Sequence, residues 1–314
     1  MSRKVLLQLV LPLIGLSVLF WLLAFAPGDK HHQPALLEMS VILRDGDGNV
    51  SAMRKGMEQA AKDLNVELRF LTPAEDNSAV EQVQLLEHEV SGAAPAILLI
   101  PADREALGEA VSAAAGKTTL VTVESDMTAW GADASISMDH QALGEALGKA
   151  ALNGVSFGGT VLLLDSLLGD NGVRERMEAA KALLEEKGRQ VRIYRWTSDS
   201  TAFANILRIE RPKAVIAFEA AALTEMAELS RGEEAFPLLY GCGSTAGIAA
   251  ALEKGRVTAI AAVNVFSAGY LAVEAAAKLA RHESWTGASS VGFSIVRQET
   301  MYSSDNQKLL FPVT

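Results

Sequence analysis

Two strand-like runs of this sequence end in side chains that can ionise or hydrogen-bond. Thr119–Val123 is β-branched and apolar and stops at Glu124-Ser125-Asp126, and Ala134–Met138 stops at Asp139-His140. Leu143, Leu147 and Ala151 then recur every four residues, the spacing of one helix face. Polar groups at strand ends just ahead of a helix are placed to hydrogen-bond a small molecule, because ligands of open α/β sheets sit outside that edge. Arg44-Asp45 ends the first strand in the same manner. Glu219 closes a later apolar strand, where a carboxylate needs either a partner or solvent.

Other chemistries find less support. Cys242 is the only cysteine, which excludes an intramolecular disulfide and a cysteine-based zinc site. The five histidines show no H-x-x-x-H spacing. Asp45-Gly46-Asp47-Gly48-Asn49 begins like a calcium loop, but Val50 stands where glycine is needed and Gly56 where the closing glutamate is needed. No metal is expected. Gly241-x-Gly243-x-x-x-Gly247 lies late in the chain without an acidic ribose partner, and reads as a tight turn rather than a dinucleotide loop. No set of side chains spells out acid/base or nucleophilic catalysis, so binding without a cofactor is the expectation. The net charge of −10, with no basic run beyond the extreme N-terminus, argues against nucleic acid.

The elements that must position these groups alternate along the chain. Strand patterns at Met39–Leu43, Val66–Leu71, Ala96–Ile100 and Thr119–Val123 are separated by helical stripes, the first capped by Asn49 and starting at Val50. After Gly154–Gly159 the alternation resumes, with strands at Thr160–Asp165, Val191–Trp196, Ala214–Phe218, Leu238–Tyr240 and Val257–Val263, the last followed by Asn264. The tail from Val291 is expected to return as short strands. This pace predicts βαβ units and parallel sheets in two similar halves, two Rossmann-like lobes joined by crossover strands. Lobe 1 is assigned to 36–138 plus 263–288 and lobe 2 to 139–262 plus 289–314. With nearly half the residues apolar, 314 residues suffice for both cores.

Ahead of the lobes, residues 1–27 form a membrane-spanning or signal segment and 28–35 a linker. Val5–Ala26 is uncharged and long enough to cross a bilayer, with Arg3 and Lys4 on its cytoplasmic side. Ala24-Phe25-Ala26 has the small-x-small form of a cleavage site, but Pro27 follows at once. An uncleaved anchor is the favoured expectation, and either way the body lies outside the cytoplasm.

Several segments in this order resemble the type I periplasmic binding proteins, in their ribose/galactose-like sugar-binding branch. They are Val41-Ile42-Leu43 before Arg54-Lys55-Gly56-Met57, Ala96–Pro101 before Asp103–Ala106, and Thr119–Glu124. Ile136-Ser137-Met138-Asp139-His140-Gln141-Ala142-Leu143-Gly144 and Val173-Arg174-Glu175-Arg176 complete the set, which covers about residues 38–300. The resemblance implies a hinged two-lobe fold closing on a small ligand, usually a monosaccharide. By position it makes Arg174 the sugar-binding arginine and Glu124 and Glu219 acceptors for hydroxyls. Cys242 stands near the family's ninth-strand aspartate, and Arg44, Asp45 and Asn264 complete the expected site. The aromatic pair that stacks on the sugar is replaced by Asn49-Val50; Trp130 or Trp196 is a substitute ring. The implied role is that of a solute-binding protein for an ABC importer; the alternative is an anchored sensing ectodomain that signals to a histidine kinase or receptor.

Overall fold

The computed structural model describes residues 35–165, 171–196, 200–232 and 236–311. Val5–Ala26 lies outside them; among the described residues no helix is long and apolar enough to cross a membrane. Residues Leu36–Thr314 form one compact unit.

Its first sheet contains β1 (Leu37–Ile42), β2 (Val66–Leu71), β3 (Ala96–Leu99), β4 (Thr119–Glu124) and β5 (Ala134–Ser137). Their order is β2-β1-β3-β4-β5, and every pairing is parallel. The connecting helices are α1 (Asp47–Leu64), α2 (Ala79–Ser91) and α3 (Arg104–Ala114). Parallel sheets are covered on both faces, which is why β3 is apolar at every position and wholly buried. After β5, α4 (His140–Leu152) leads to β6 (Thr160–Asp165), and a second sheet begins.

The second sheet adds β7 (Gln190–Arg195), β8 (Ala214–Ala217), β9 (Leu238–Cys242), β10 (Ala259–Val263) and β11 (Phe293–Val296), in the order β11-β10-β9-β8-β6-β7. All pairs are parallel except β10–β11. Helices α5 (Asn171–Glu186), α6 (Ser200–Glu210), α7 (Ala220–Leu229) and α8 (Ala246–Glu253) connect its strands. From β10 the chain goes back as α9 (Val265–Ala280), which packs on α1 and on β3–β5 of the first sheet, before β11 rejoins the second. The chain therefore passes between the sheets three times. Backbone bonds tie these passages together: Ser137 N–H donates to Ser289 O, Val291 N–H to Ser137 O, and Asn264 N–H to Gly292 O.

Local details depart from the sequence reading in two places. The first helix starts at Asp47, not Val50, because the turn is set three residues earlier: Gly46 N–H donates to Asp76 Oδ1 at 3.0 Å and Gly46 is the N-cap. The tail holds one strand, β11, and then α10 (Ser304–Leu310), whose Leu310 is buried in the second core. A helix there was not anticipated.

Two glycine seams hold helices at close range. A side chain at Gly56 of α1 would run into the carbonyl of Phe266, and one at Gly269 of α9 into the carbonyl of Met53. A second seam joins α4 to α5, where Gly144 lies directly against the carbonyl of Arg176. Gly144→Ala should therefore push α5 away from α4 and destabilise the fold by about 1–3 kcal/mol, measured by urea unfolding. A variant as stable as the parent would show that the seam has slack.

Candidate functional site

The C-terminal edges of both sheets bound a cavity of about 360 Å³. Loop positions on the first sheet are set by Gln82 of α2, a fully buried amide. Its Nε2 donates to Leu43 O and Ile100 O, both at 2.8 Å, and its Oε1 accepts from Ala102 N–H at 2.8 Å. One side chain thus satisfies three backbone groups at the ends of β1 and β3, fixing the chain where it delivers Arg44 and Asp45. Buried backbone groups without partners cost about 1–3 kcal/mol each. Gln82→Leu is expected to lower stability by about 2–4 kcal/mol in chemical unfolding, and a loss below about 0.5 kcal/mol would contradict the clamp.

Arg44 donates across the edge to Glu124 Oε2 at 3.1 Å, and its Nε lies 3.7 Å from Asp45 Oδ2. All three side chains are mostly shielded and line the cavity. Glu124 has φ +70°, a left-handed conformation that non-glycine residues adopt rarely and that is found disproportionately at functional sites. Its carbonyl is held by Ser137 Oγ–H and by His140 Nε2 at 3.0 Å. Asp139 caps α4, accepting from Ala142 N–H, and His140 is buried at the passage from the first sheet to α4.

On the second sheet the central group is Arg176, only 6 % exposed. Its Nε donates to His140 Nδ1 at 3.1 Å and its Nη1 to the Phe218 carbonyl at 2.9 Å. Nη1 also approaches Cys242 Sγ at 3.7 Å, and Nη2 approaches Met138 Sδ at 3.8 Å. Arginine can only donate, so His140 Nδ1 must be the acceptor and Nε2 carries the proton given to Glu124 O. The imidazole is accordingly neutral and joins the strand end of one sheet to the helix of the other.

The expected residues fall into two groups. Arg44, Asp45, Glu124, Glu219 and Cys242 converge on the cavity. Arg174, Trp196 and Asn264 are not among its described lining residues, and each departure has a physical reason. Arg174 is exposed on α5: residues two apart on a helix point to nearly opposite sides, so Arg176 faces inward and Arg174 outward. Trp196 is buried edge-on against Phe203, with ring centroids 5.3 Å apart, as core packing. Asn264 caps α9, its Oδ1 accepting from Ser267 N–H at 3.0 Å. Trp130 packs near Gly108, with Arg104 over its ring, and is not a described lining residue of the cavity.

Sequence reasoning missed Arg176, Lys55, Met138 and the turn Gly243–Thr245, all of which line the cavity. For Arg176 a signal existed. It lies three residues after Val173 and four before Ala180, on the buried stripe of α5 that continues to Leu184, whereas Arg174 is off it. The glycine segment is a turn between β9 and α8; Gly243 has φ +136°, and a side chain there would also meet Ala220 and Ile248, so both conformation and space call for glycine. Among the described residues no aromatic ring lines the cavity. Those residues include no cluster of three or more metal-ligating side chains.

This architecture can be compared with known proteins. A family model for the periplasmic binding protein domain matches residues 40–284. The chain belongs to that family. A comparison with curated proteins returns no match. Among solved structures, an ABC transporter solute-binding protein from Agrobacterium vitis with bound D-fucose is 20 % identical with a TM-score of 0.80, covering 87 % of this chain and 100 % of its own. A carbohydrate transporter solute-binding protein from Agrobacterium radiobacter, in complex with D-arabinose, is 17 % identical with a TM-score of 0.81 (88 % and 99 %). A carbohydrate transporter from Acidothermus cellulolyticus, in complex with myo-inositol, is 17 % identical with a TM-score of 0.76 (88 % and 99 %). At these identities the likeness establishes the two-lobe fold. The structures are named as binding and transport proteins, not enzymes.

Cys242 offers a direct probe of the family member's cavity. Burial pushes its thiol up from the ordinary cysteine range, Glu124 and Glu219 add to the rise, and Arg176 opposes it. The native thiol is therefore neutral at pH 8, and because the unfolded chain ionises first, stability falls as pH rises past the ordinary thiol range. Alkylation of the native protein at pH 8 should be at least about tenfold slower than in urea; equal rates would mean that the thiol is open and ionised.

Proposed function

We propose that this chain is an extracytoplasmic solute-binding protein that closes two lobes on a small, sugar-like ligand and delivers it to an ABC importer. The observation that carries this reading is the cavity between the C-terminal strand edges of two sheets, with ionisable side chains contributed by both. Its volume falls within the roughly 300–1,000 Å³ usual for small-molecule sites, and domain boundaries are where such sites occur. Support comes from family membership and from neighbours of the same fold that hold D-fucose, D-arabinose and myo-inositol. Those neighbours named as ABC transporter solute-binding proteins favour import over a sensing role.

In this reading the lobes divide at 36–138 plus 263–288 and 139–262 plus 289–314, and the three passages between the sheets act as the hinge. Arg176, Glu219 and the Arg44–Glu124–Asp45 group supply donors and acceptors for ligand hydroxyls. Val5–Ala26 tethers the protein to the membrane, and N-terminal sequencing of the mature protein would reveal a start beyond Pro27 if the segment is instead removed.

Titration of the purified protein with monosaccharides, polyols and their charged derivatives is expected to yield at least one ligand that raises the melting temperature by roughly 5 °C at saturation. Glu219→Gln should weaken that ligand on the order of tenfold. No response to the whole panel at millimolar concentrations would overturn the reading.

A further inference from the structure

The pairing of charges around the cavity bears on the class of ligand, and the argument rests on the binding-protein reading above. Three cations, Arg44, Lys55 and Arg176, and three carboxylates, Asp45, Glu124 and Glu219, line the cavity. Their sum is zero, but they are not paired evenly. Arg44 engages both Glu124 and Asp45. Arg176 makes no ion pair among the described residues. Its four acceptors are an imidazole nitrogen, a carbonyl, a thiol and a thioether, and Nη2 meets only the thioether of Met138, a weak acceptor. Lys55 of α1 is exposed at the cavity and also has no ion pair among the described residues.

A guanidinium that is nine-tenths buried without a direct ion pair is costly, by several kcal/mol for a fully desolvated ion. An anion brought into the cavity would offset that cost more fully than the hydroxyls of a neutral sugar, because a charge-assisted hydrogen bond is the stronger one. Stacking, the other means of holding a sugar ring, has no platform among the described lining residues. Glu219 remains on the same wall and disfavours a second negative charge.

We propose that the ligand is a hydroxylated monoanion, a sugar acid, whose carboxylate lies between Arg176 Nη2 and Lys55 Nζ. Its hydroxyls then face Glu219 and the Ser244-Thr245 turn, which also line the cavity. A carboxylate accepts two hydrogen bonds side by side, and a charge-assisted bond is shorter and stronger than one to a hydroxyl.

The test is calorimetric titration of the full-length protein, at low ionic strength, with D-galactose, D-galactonate, D-galacturonate and D-galactose 6-phosphate. Matched gluco-, arabino- and fuco-configured neutral sugars and acids extend the series. The expected result is that an acid binds at least about tenfold more tightly than its neutral counterpart and that the dianionic phosphate ester binds more weakly than the acid. Lys55→Met, on the exposed side of α1 and so neutral for folding, should lower the acid's affinity on the order of tenfold and the neutral sugar's by less. A neutral sugar that binds as tightly as its acid overturns this inference and leaves the binding-protein reading standing. So does a phosphate ester that binds more tightly than the acid, or an acid affinity untouched by Lys55→Met. Binding of nothing in the series overturns both.

Discussion

The site depends on one buried cation. Arg176 is placed where it can donate to the imidazole of His140, the carbonyl of Phe218 and two sulfur atoms, and through His140 it ties the second sheet's side of the cavity to the strand end at Glu124. Because arginine only donates, His140 must be neutral with its proton on Nε2, and that proton goes to the carbonyl of Glu124. The carbonyl is available because Glu124 leaves β4 in a left-handed turn. A chain of three hydrogen-bonded groups thus runs from a helix of the second sheet to a strand end of the first. The side chain of Glu124, sent the other way, meets Arg44. The chain also explains why α5 needs a glycine neighbour: only with Gly144 against its backbone can Arg176 come close enough to His140.

The architecture was largely legible because parallel strands buried on both faces leave a plain signature. β6, buried through its centre, falls where its apolar run predicted; the edge strand β2 also keeps its expected bounds, and the other strands of the two parallel runs shift by a residue or two at the ends. Ends are set by side-chain bonds from distant residues, such as Asp76 to Gly46 and Gln82 to Leu43, which no local pattern contains. The short helix α10 was missed for a similar reason: it has few residues, and its burial comes from Leu310 entering a core built elsewhere.

The candidate site was half legible. Residues at strand ends, Arg44, Asp45, Glu124, Glu219 and Cys242, were found because strand ends share one edge of a sheet. Residues on helices needed a second step, namely which side of the helix is buried, and that step separates Arg176 from Arg174. Asn264 illustrates the opposite error. It lies at the right edge between two cavity residues, Val263 and Val265, but an asparagine just before a helix is committed to the unpaired backbone N–H groups of the first turn. Trp196 lies in the core and not along the cavity because a large aromatic side chain beside a core is drawn into it, here against Phe203.

The seam between α1 and α9 has a consequence in time as well as in space. The two helices join residues far apart in the chain: Tyr270 donates to Asp63, 207 positions away, and the glycine contacts between them leave no room for a side chain. On the ribosome α1 emerges early with its apolar face of Met53, Met57 and Ala60, and the helix that covers it emerges only after the whole second sheet but one strand. Throughout that interval the first sheet is translated but unsealed, with an exposed apolar face of the kind that folding factors hold. Closing so long a loop also slows folding relative to a domain built from consecutive residues. A chain cut short before residue 265 would lose no strand of the first sheet, yet would leave its covering helix unmade.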